Sequence, residues 1–309
     1  MGILSGGNFA DLLEPGLRAI FDVAVSRPRP QMEALYGVQA STKFQERYLA
    51  MGAVGLVPVF SGTLEYLNMD AGYRTDIRNY VLAAGMQVER ELVDDDQYNE
   101  INGRAQRLGD AFAITVEHDA VQTFINAFTD SGTTRLGTST NGADGVGLCS
   151  TAHPYSPAKS GSTQSNESTL TLSLANVDTT RQGMRNFVDD QGNLLGVEPD
   201  TCLVPSELER DAIKIFGRQA LYEPDSAEFN VNMFAGQMRV IVWNRLTDAN
   251  AWFLLDTRIM RQQLIWQWRF RPEFLGEKSF DGLTAKYRGY MRYGLGHIGW
   301  QWIYGQNPS

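Results

Sequence analysis

Apolar and polar positions along the chain divide it into unlike stretches. Asp11 to Val25 carries the spacing of one short amphipathic helix. Ser26-Arg27-Pro28-Arg29-Pro30 then breaks any helix, because each proline fixes φ and pushes its predecessor towards extended geometry. A second short helix is predicted from Gln31 to Leu35, and mostly extended chain from there to Phe60. Two strand-like runs, Val54 to Phe60 and Tyr80 to Glu91, flank a tip rich in Gly, Asn, Asp and Arg, which predicts a long β-hairpin. The strongest helical signal follows. Apolar residues recur at Ile101, Ala105, Leu108, Phe112, Val116, Ala120, Val121, Phe124, Ile125 and Phe128, and Asp94-Asp95-Asp96 suits a helix N-terminus. A helix from Asp94 to Phe128 would be roughly 50 Å long at 1.5 Å per residue, weakened locally by Gly103 and Gly109.

Residues 129–170 are a Gly/Ser/Thr/Asn-rich connection, of a length that is functional or disordered in most domains. Beyond it the pattern alternates. A helix is predicted over Asn176 to Asp190, capped by Asn176 or Asp178. A buried strand follows at Thr201 to Val204, then a helix from Ser206 to Phe216 with Glu209 completing a capping box. Met238–Trp243 and Trp252–Leu255 read as strands. Leu264 to Tyr304 is aromatic, Arg-bearing and alternating, as half-buried strands are. The class is α+β.

Composition adds boundaries. The 309 residues allow one or two domains, and 43% hydrophobic with 20% charged residues excludes wholesale disorder. No apolar run approaches the roughly 18 residues of a bilayer span, and the first residues show no signal-peptide pattern. Two cysteines, Cys149 and Cys202, are too few for a disulfide framework, so a reducing compartment is expected. The net charge of −9 opposes tight nucleic-acid binding. The basic residues are 22 Arg and only five Lys. That bias has two readings, extensive protein–protein interface or codon bias in a GC-rich genome.

Candidate chemistry is sparse. Cys149 and His153 are four apart, the spacing of an imaginable nucleophile and base, in a polar loop with no third orienting residue. Three histidines leave no multi-His metal site, and neither a metal nor a cofactor is expected. Gly294-Leu295-Gly296-His297-Ile298-Gly299 matches G-x-G-x-x-G but lacks a following helix, so a glycine-bearing turn or bulge is expected. Asn166-Glu167-Ser168 is a glycosylation sequon without a secretory context. The C-terminal aromatic and Arg-bearing strands read as a packed sheet rather than a base-stacking platform.

Gly147-Leu148-Cys149-Ser150-Thr151-Ala152-His153-Pro154, the Gly/Ser-rich stretch to Ser165-Asn166, Phe187-Val188-Asp189-Asp190-Gln191-Gly192 and Pro199-Asp200-Thr201-Cys202-Leu203-Val204-Pro205 occur in an order that resembles the major capsid proteins of tailed bacteriophages, in particular the Mu-type head subunits. The resemblance runs from about residue 40 to the end. It implies the Hong Kong 97-like coat fold, with residues 1–53 as N-terminal arm, 54–90 as extended loop, 91–170 as peripheral domain with spine helix and connecting loop, 171–260 mainly as axial domain and 261–309 as returning peripheral strands.

The resemblance also implies a function. The chain would self-assemble into hexamers and pentamers of an icosahedral head enclosing double-stranded DNA, without sequence-specific binding and without a membrane. Scaffolding, portal and decoration proteins are the other partners it suggests, and the virion, assembled in the bacterial cytoplasm, is the location. Arm and loop would bury their apolar surface only on neighbours, through Phe44, Tyr48, Leu56, Val59, Phe60, Tyr66 and Tyr73. Some members of this fold cross-link through a loop lysine; Val54–Glu91 has none. Two alternatives stand beside this one: the shell of an encapsulin nanocompartment, which has the same fold, and an unrelated thiol enzyme using Cys149.

Overall fold

The structure is a computed structural model that describes residues 9–27, 31–60, 62–64, 66–67, 69–95, 98–217, 234–278 and 284–308. In chain order the first elements are α1 (Phe9–Ser26), α2 (Met32–Leu35), β1 (Gly37–Ala40), β2 (Gln45–Met51), β3 (Ala71–Arg78), β4 (Tyr80–Glu89), α3 (Arg90–Asp94) and α4 (Tyr98–Ile125). The long connection holds β5 (His153–Pro154), β6 (Thr163–Gln164) and β7 (Glu167–Ser168). Next come α5 (Leu174–Arg185), β8 (Thr201–Val204), α6 (Glu209–Phe216), β9 (Arg239–Val242) and β10 (Trp252–Leu255). The chain ends with α7 (Thr257–Gln263), β11 (Leu264–Lys278), β12 (Thr284–His297) and β13 (Ile303–Gln306).

Two sheets organise the molecule. One has the order β1-β11-β12-β4, with the long β11–β12 antiparallel pair at its centre and β1 joined parallel to β11. The other runs β7-β13-β10-β8-β9 and is buried through β8 and β10, where every residue is inside. Helix α4 packs against both. Its Phe124 ring meets Trp243, Phe253 and Trp302 at 5.7–6.3 Å between centroids. Its Glu117 carboxylate accepts from the Met32 amide and the Trp243 indole. Its Asp119, fully buried, accepts from both arms of the Arg135 guanidinium and from the Tyr293 hydroxyl. The segment after the prolines and the second sheet thus meet this helix at Glu117 and Phe124, and the connection and the long sheet meet it on the other side, at Asp119.

The pattern placed most elements, and several details differ. The hairpin arms are β2 and β3, paired antiparallel from Gln45↔Arg78 to Met51↔Ala71. Val54–Phe60 is not a strand. Its run of large apolar residues is exposed, so length and β-propensity there reflect no sheet partner. Tyr80–Glu89 is a strand, but it pairs with β12, because alternate residues can pack on the long sheet.

The expected single helix from Asp94 is two helices. Asp94 closes α3, α4 begins at Tyr98, and Asp96 lies outside the described residues. Ser173, not Asn176 or Asp178, caps α5, and that helix stops at Arg185. Asn176 spends its side chain on the Thr171 carbonyl instead. The Ser206–Glu209 capping box does not form: a 3-10 turn occupies Ser206–Leu208, and α6 starts at Glu209 with no side-chain cap.

The expected arm is corrected too. Leu17, Phe21 and Ala24 of α1 are buried on this chain's own α4 and β11, with Phe21 against Phe112 and Phe274 at 5.5 and 5.3 Å. The described part of residues 1–53 up to Ala40 thus covers its own subunit, and residues 1–8 lie outside the described ones. Gly109 is what permits the contact. A Cβ there would stand 2.7 Å from the Ala24 Cβ and 2.8 Å from the Phe21 carbonyl. The connection 129–170 is neither loose nor solvent-facing throughout: Leu148, Cys149 and Asn166 are buried.

Candidate assembly surface

The β2–β3 hairpin ends in an apolar tip, residues 52–70. Hydrogen bonds close its root, with the Gly52 amide donating to the Asp70 carbonyl at 2.9 Å. Beyond the root no described residue is buried. Leu56, Val57, Val59 and Tyr66 are 82–94% exposed, and Phe60 is nearly as open. Ten of the 22 exposed large hydrophobic side chains among the described residues fall between Met51 and Met69. The segment carries Glu65 and Asp70 and no basic residue. Contiguous apolar surface of this kind marks an interaction site in a stable protein.

The seven residues expected at subunit contacts divide into two groups. Leu56, Val59, Phe60 and Tyr66 stand free on the tip. Phe44, Tyr48 and Tyr73 sit lower and already have partners on this chain. The Arg78 guanidinium lies 4.6 Å over the half-open Phe44 ring, a cation–π arrangement. Tyr48 is half-buried, its hydroxyl towards Gln39 and Gln267. Tyr73 lines a cavity of about 340 Å³ at the hairpin root, where burial and the Asp144 charge push its phenol up. Sequence reasoning passed over Met51, Val57, Leu64 and Met69, all open. The run Leu56-Val57-Pro58-Val59-Phe60 held the signal, since apolar residues on both faces of an unpaired stretch are not covered by any sheet among the described residues.

The other candidate chemistry dissolves in the structure. Cys149 is buried under Gly305 and Phe128, and burial holds its thiol far above the usual range. His153 is engaged at both ring nitrogens, Nδ1 with Asp144 at 2.7 Å and Nε2 with the Asn166 side-chain oxygen at 3.1 Å, and it stacks on Trp300. The two are not a nucleophile and its base, so the thiol-enzyme alternative loses its only geometric support. Asn166, the sequon residue, is fully buried, accepting from the Ser150 amide and donating to the Leu148 and Ile303 carbonyls.

Gly294 and Gly296 lie inside β12 in regular register with Gln267 and Ile265, neither a phosphate loop nor a turn. A Cβ on Gly294 would meet the Arg78 carbonyl at 2.4 Å, and one on Gly296 would press on Ile77. These glycines let the base of the hairpin cross the long sheet. No described helix is long and apolar enough to cross a membrane, and no cluster of His, Cys, Asp or Glu among the described residues is placed to hold a metal.

Comparison with known proteins agrees with this picture. The sequence matches the phage capsid protein family over residues 77–305, most of the chain. No curated protein matches. Among solved structures, the procapsid of bacteriophage JBD30 aligns at TM-score 0.51 and 16% identity, covering 97% of this chain and 75% of that one. The capsid of Myoviridae phage XM1 aligns at 0.53 and 10% identity, over 88% and 90%. The virus-like particle from Pyrococcus furiosus aligns at 0.52 and 12% identity, over 94% and 98%. The fold is the α+β, Hong Kong 97-like coat fold. The chain belongs to the phage capsid protein family, and its function is structural, as a major capsid protein.

Proposed function

We propose that the chain is a Mu-type head subunit that self-assembles into hexamers and pentamers of an icosahedral head around double-stranded DNA. The observation that carries this is the tip: an ordered two-stranded stalk holding uncovered apolar side chains on a subunit of capsid family. Leu56, Val59, Phe60 and Tyr66 would seat on a neighbouring copy, and Phe44, Tyr48 and Tyr73 would border the same contact. Fully burying one such side chain contributes about 1.5–3 kcal/mol relative to exposure. Every subunit makes the contact and receives it, so closure of a shell is multivalent.

In family terms residues 1–53 would be the arm, with α1 docked on its own subunit, 54–90 the extended loop, with its last strand β4 joined to the long sheet, 91–170 and 261–309 the peripheral domain and 171–260 mainly the axial domain. Without a lysine in 54–91, shell stability rests on non-covalent overlap or on a decoration protein. Scaffolding and portal proteins would assist assembly in the host cytoplasm. The net charge of −9 suits DNA driven in by a motor, and a densely basic inner surface in a shell map would refute that part.

The test is assembly of purified chain, followed by light scattering and negative-stain microscopy. Parent protein is expected to form shells, tubes or capsomers. Leu56→Ser with Phe60→Ser is expected to leave the subunit folded and lower shell yield at least tenfold. Clean monomers from the parent sink the reading. The likeness to the Pyrococcus furiosus particle keeps an encapsulin-like shell as a second reading. Portal and terminase genes beside this one favour the phage head, and a cargo-enzyme gene favours the compartment.

A further inference from the structure

Three segments meet where the tip leaves the body. The end of the stalk is one, with Gly52 and Ala53. The turn after α5 is the second, closed by the Val188↔Leu194 bridge and by Asp189 Oδ1 accepting from the Gln191 and Asn193 amides. The third is the connection, whose Gln164 side chain clamps Val188 by both its amide and its carbonyl, at 2.9 and 2.8 Å. The turn is therefore held rigidly on the body.

One side chain carries that rigidity across to the tip. Asp190, 8% exposed, accepts the Ala53 amide on Oδ1 at 2.8 Å. Its own carbonyl accepts from the Lys159 ammonium, which anchors the residue from behind. Its second oxygen, Oδ2, has no partner among the described residues and lies where a Cβ on Gly52 would come within 2.6 Å. Glycine at 52 is thus what admits the carboxylate to the root. Ala53 is the first residue past the Gly52–Asp70 closure, so its amide is where the direction of the tip is set. At up to about 3.3 Å per residue the tip reaches on the order of 25 Å, so a small rotation at the root becomes several ångströms at Phe60.

We propose that Asp190 is the positioning residue of the apolar tip: its Oδ1 seats the Ala53 amide and fixes the angle at which the tip projects before a second copy of the chain is met. This rests on the tip being the assembly surface. The role needs an acceptor at Oδ1, not a charge, and that separates it from general acid–base or ion-pair work.

The experiment uses the full chain with Asp190→Ala, Asp190→Asn and Gly52→Ala. Limited proteolysis reports cleavage within 52–70, light scattering and microscopy report shell yield, and thermal unfolding reports the body. Asp190→Ala is expected to speed tip cleavage at least tenfold and cut shell yield at least tenfold. Asp190→Asn keeps the acceptor and is expected to restore both to within twofold of the parent. Gly52→Ala removes no polar group but crowds the carboxylate out, and is expected to resemble Asp190→Ala. The proposal is overturned if Asp190→Ala leaves cleavage and yield within twofold of the parent, if Asp190→Asn fails as fully as alanine, or if Gly52→Ala changes neither. A parent that forms no shells overturns the assembly reading instead, and the proteolysis comparison still reports on Asp190.

Discussion

His297 shows how much a single residue owes to its surroundings. Buried in β12 beside Asp144 and His153, its imidazole is pushed down to about 4, mainly by desolvation and further by the His153 charge, against the pull of Asp144. In the unfolded chain it titrates near 6.5. Between these values the unfolded state binds the extra proton, so stability contributed at neutral pH is lost as pH falls from about 6.5 to about 4. The expected loss from pH 7 to pH 5 is about 2 kcal/mol from this group, read by urea unfolding at both pH values; a His297→Gln variant that keeps the full pH slope would refute it. The cysteines give a second check at this scale. Both are buried with thiols held above their usual range, so a disulfide reagent is expected to label neither in the folded subunit and both in denaturant. Rapid labelling of Cys149 in the native protein would reopen its chemistry.

At the scale of elements, glycines in α4 separate local propensity from packing. Gly103 and Gly109 look alike in the sequence, each a weak point in a helix. Gly103 has open space around a would-be Cβ, whereas Gly109 faces Ala24 and Phe21 of α1. Gly103→Ala is therefore expected to stabilise the subunit by roughly 0.5–1 kcal/mol, and Gly109→Val to destabilise it by about 1–3 kcal/mol, both read from denaturation midpoints. Equal effects of the two would mean α1 does not dock as described. Locality likewise separates the legible elements from the rest. The periodicity of α4 and the alternation of β11 and β12 are local patterns, so they were readable. The partner of Tyr80–Glu89 is far along the chain in β12, where Tyr80 meets Tyr293 and Glu89 meets Thr284, and Ser173 became a cap only because α5 begins at Leu174, one residue after it. Neither fact is local.

For the whole molecule, the balance is between what the chain covers itself and what it leaves open. Helix α1 covers its own subunit, and the tip does not. Because the tip presents apolar side chains and no basic residue, assembly through it is expected to persist in 0.5 M salt, where surface ion pairs are screened to within a few ångströms. Light scattering across a salt series checks this, and shells that dissolve as salt rises would move the contact to the charged faces.

By itself the sequence determined the α+β class, the long helix, the alternating strands of Leu264 to Tyr304 and an apolar stretch around Leu56–Phe60, since each is written in neighbouring residues. It also carried the order of motifs that resembles tailed-phage capsid proteins. Tertiary structure alone decided that Val54–Phe60 has no strand partner among the described residues, that Gly294 and Gly296 make room for a crossing hairpin, that Cys149 is buried, and that Asp190 meets Ala53 across 137 residues. These depend on which distant groups arrive at the same point, and burial and close approach are properties of that meeting rather than of any segment taken alone.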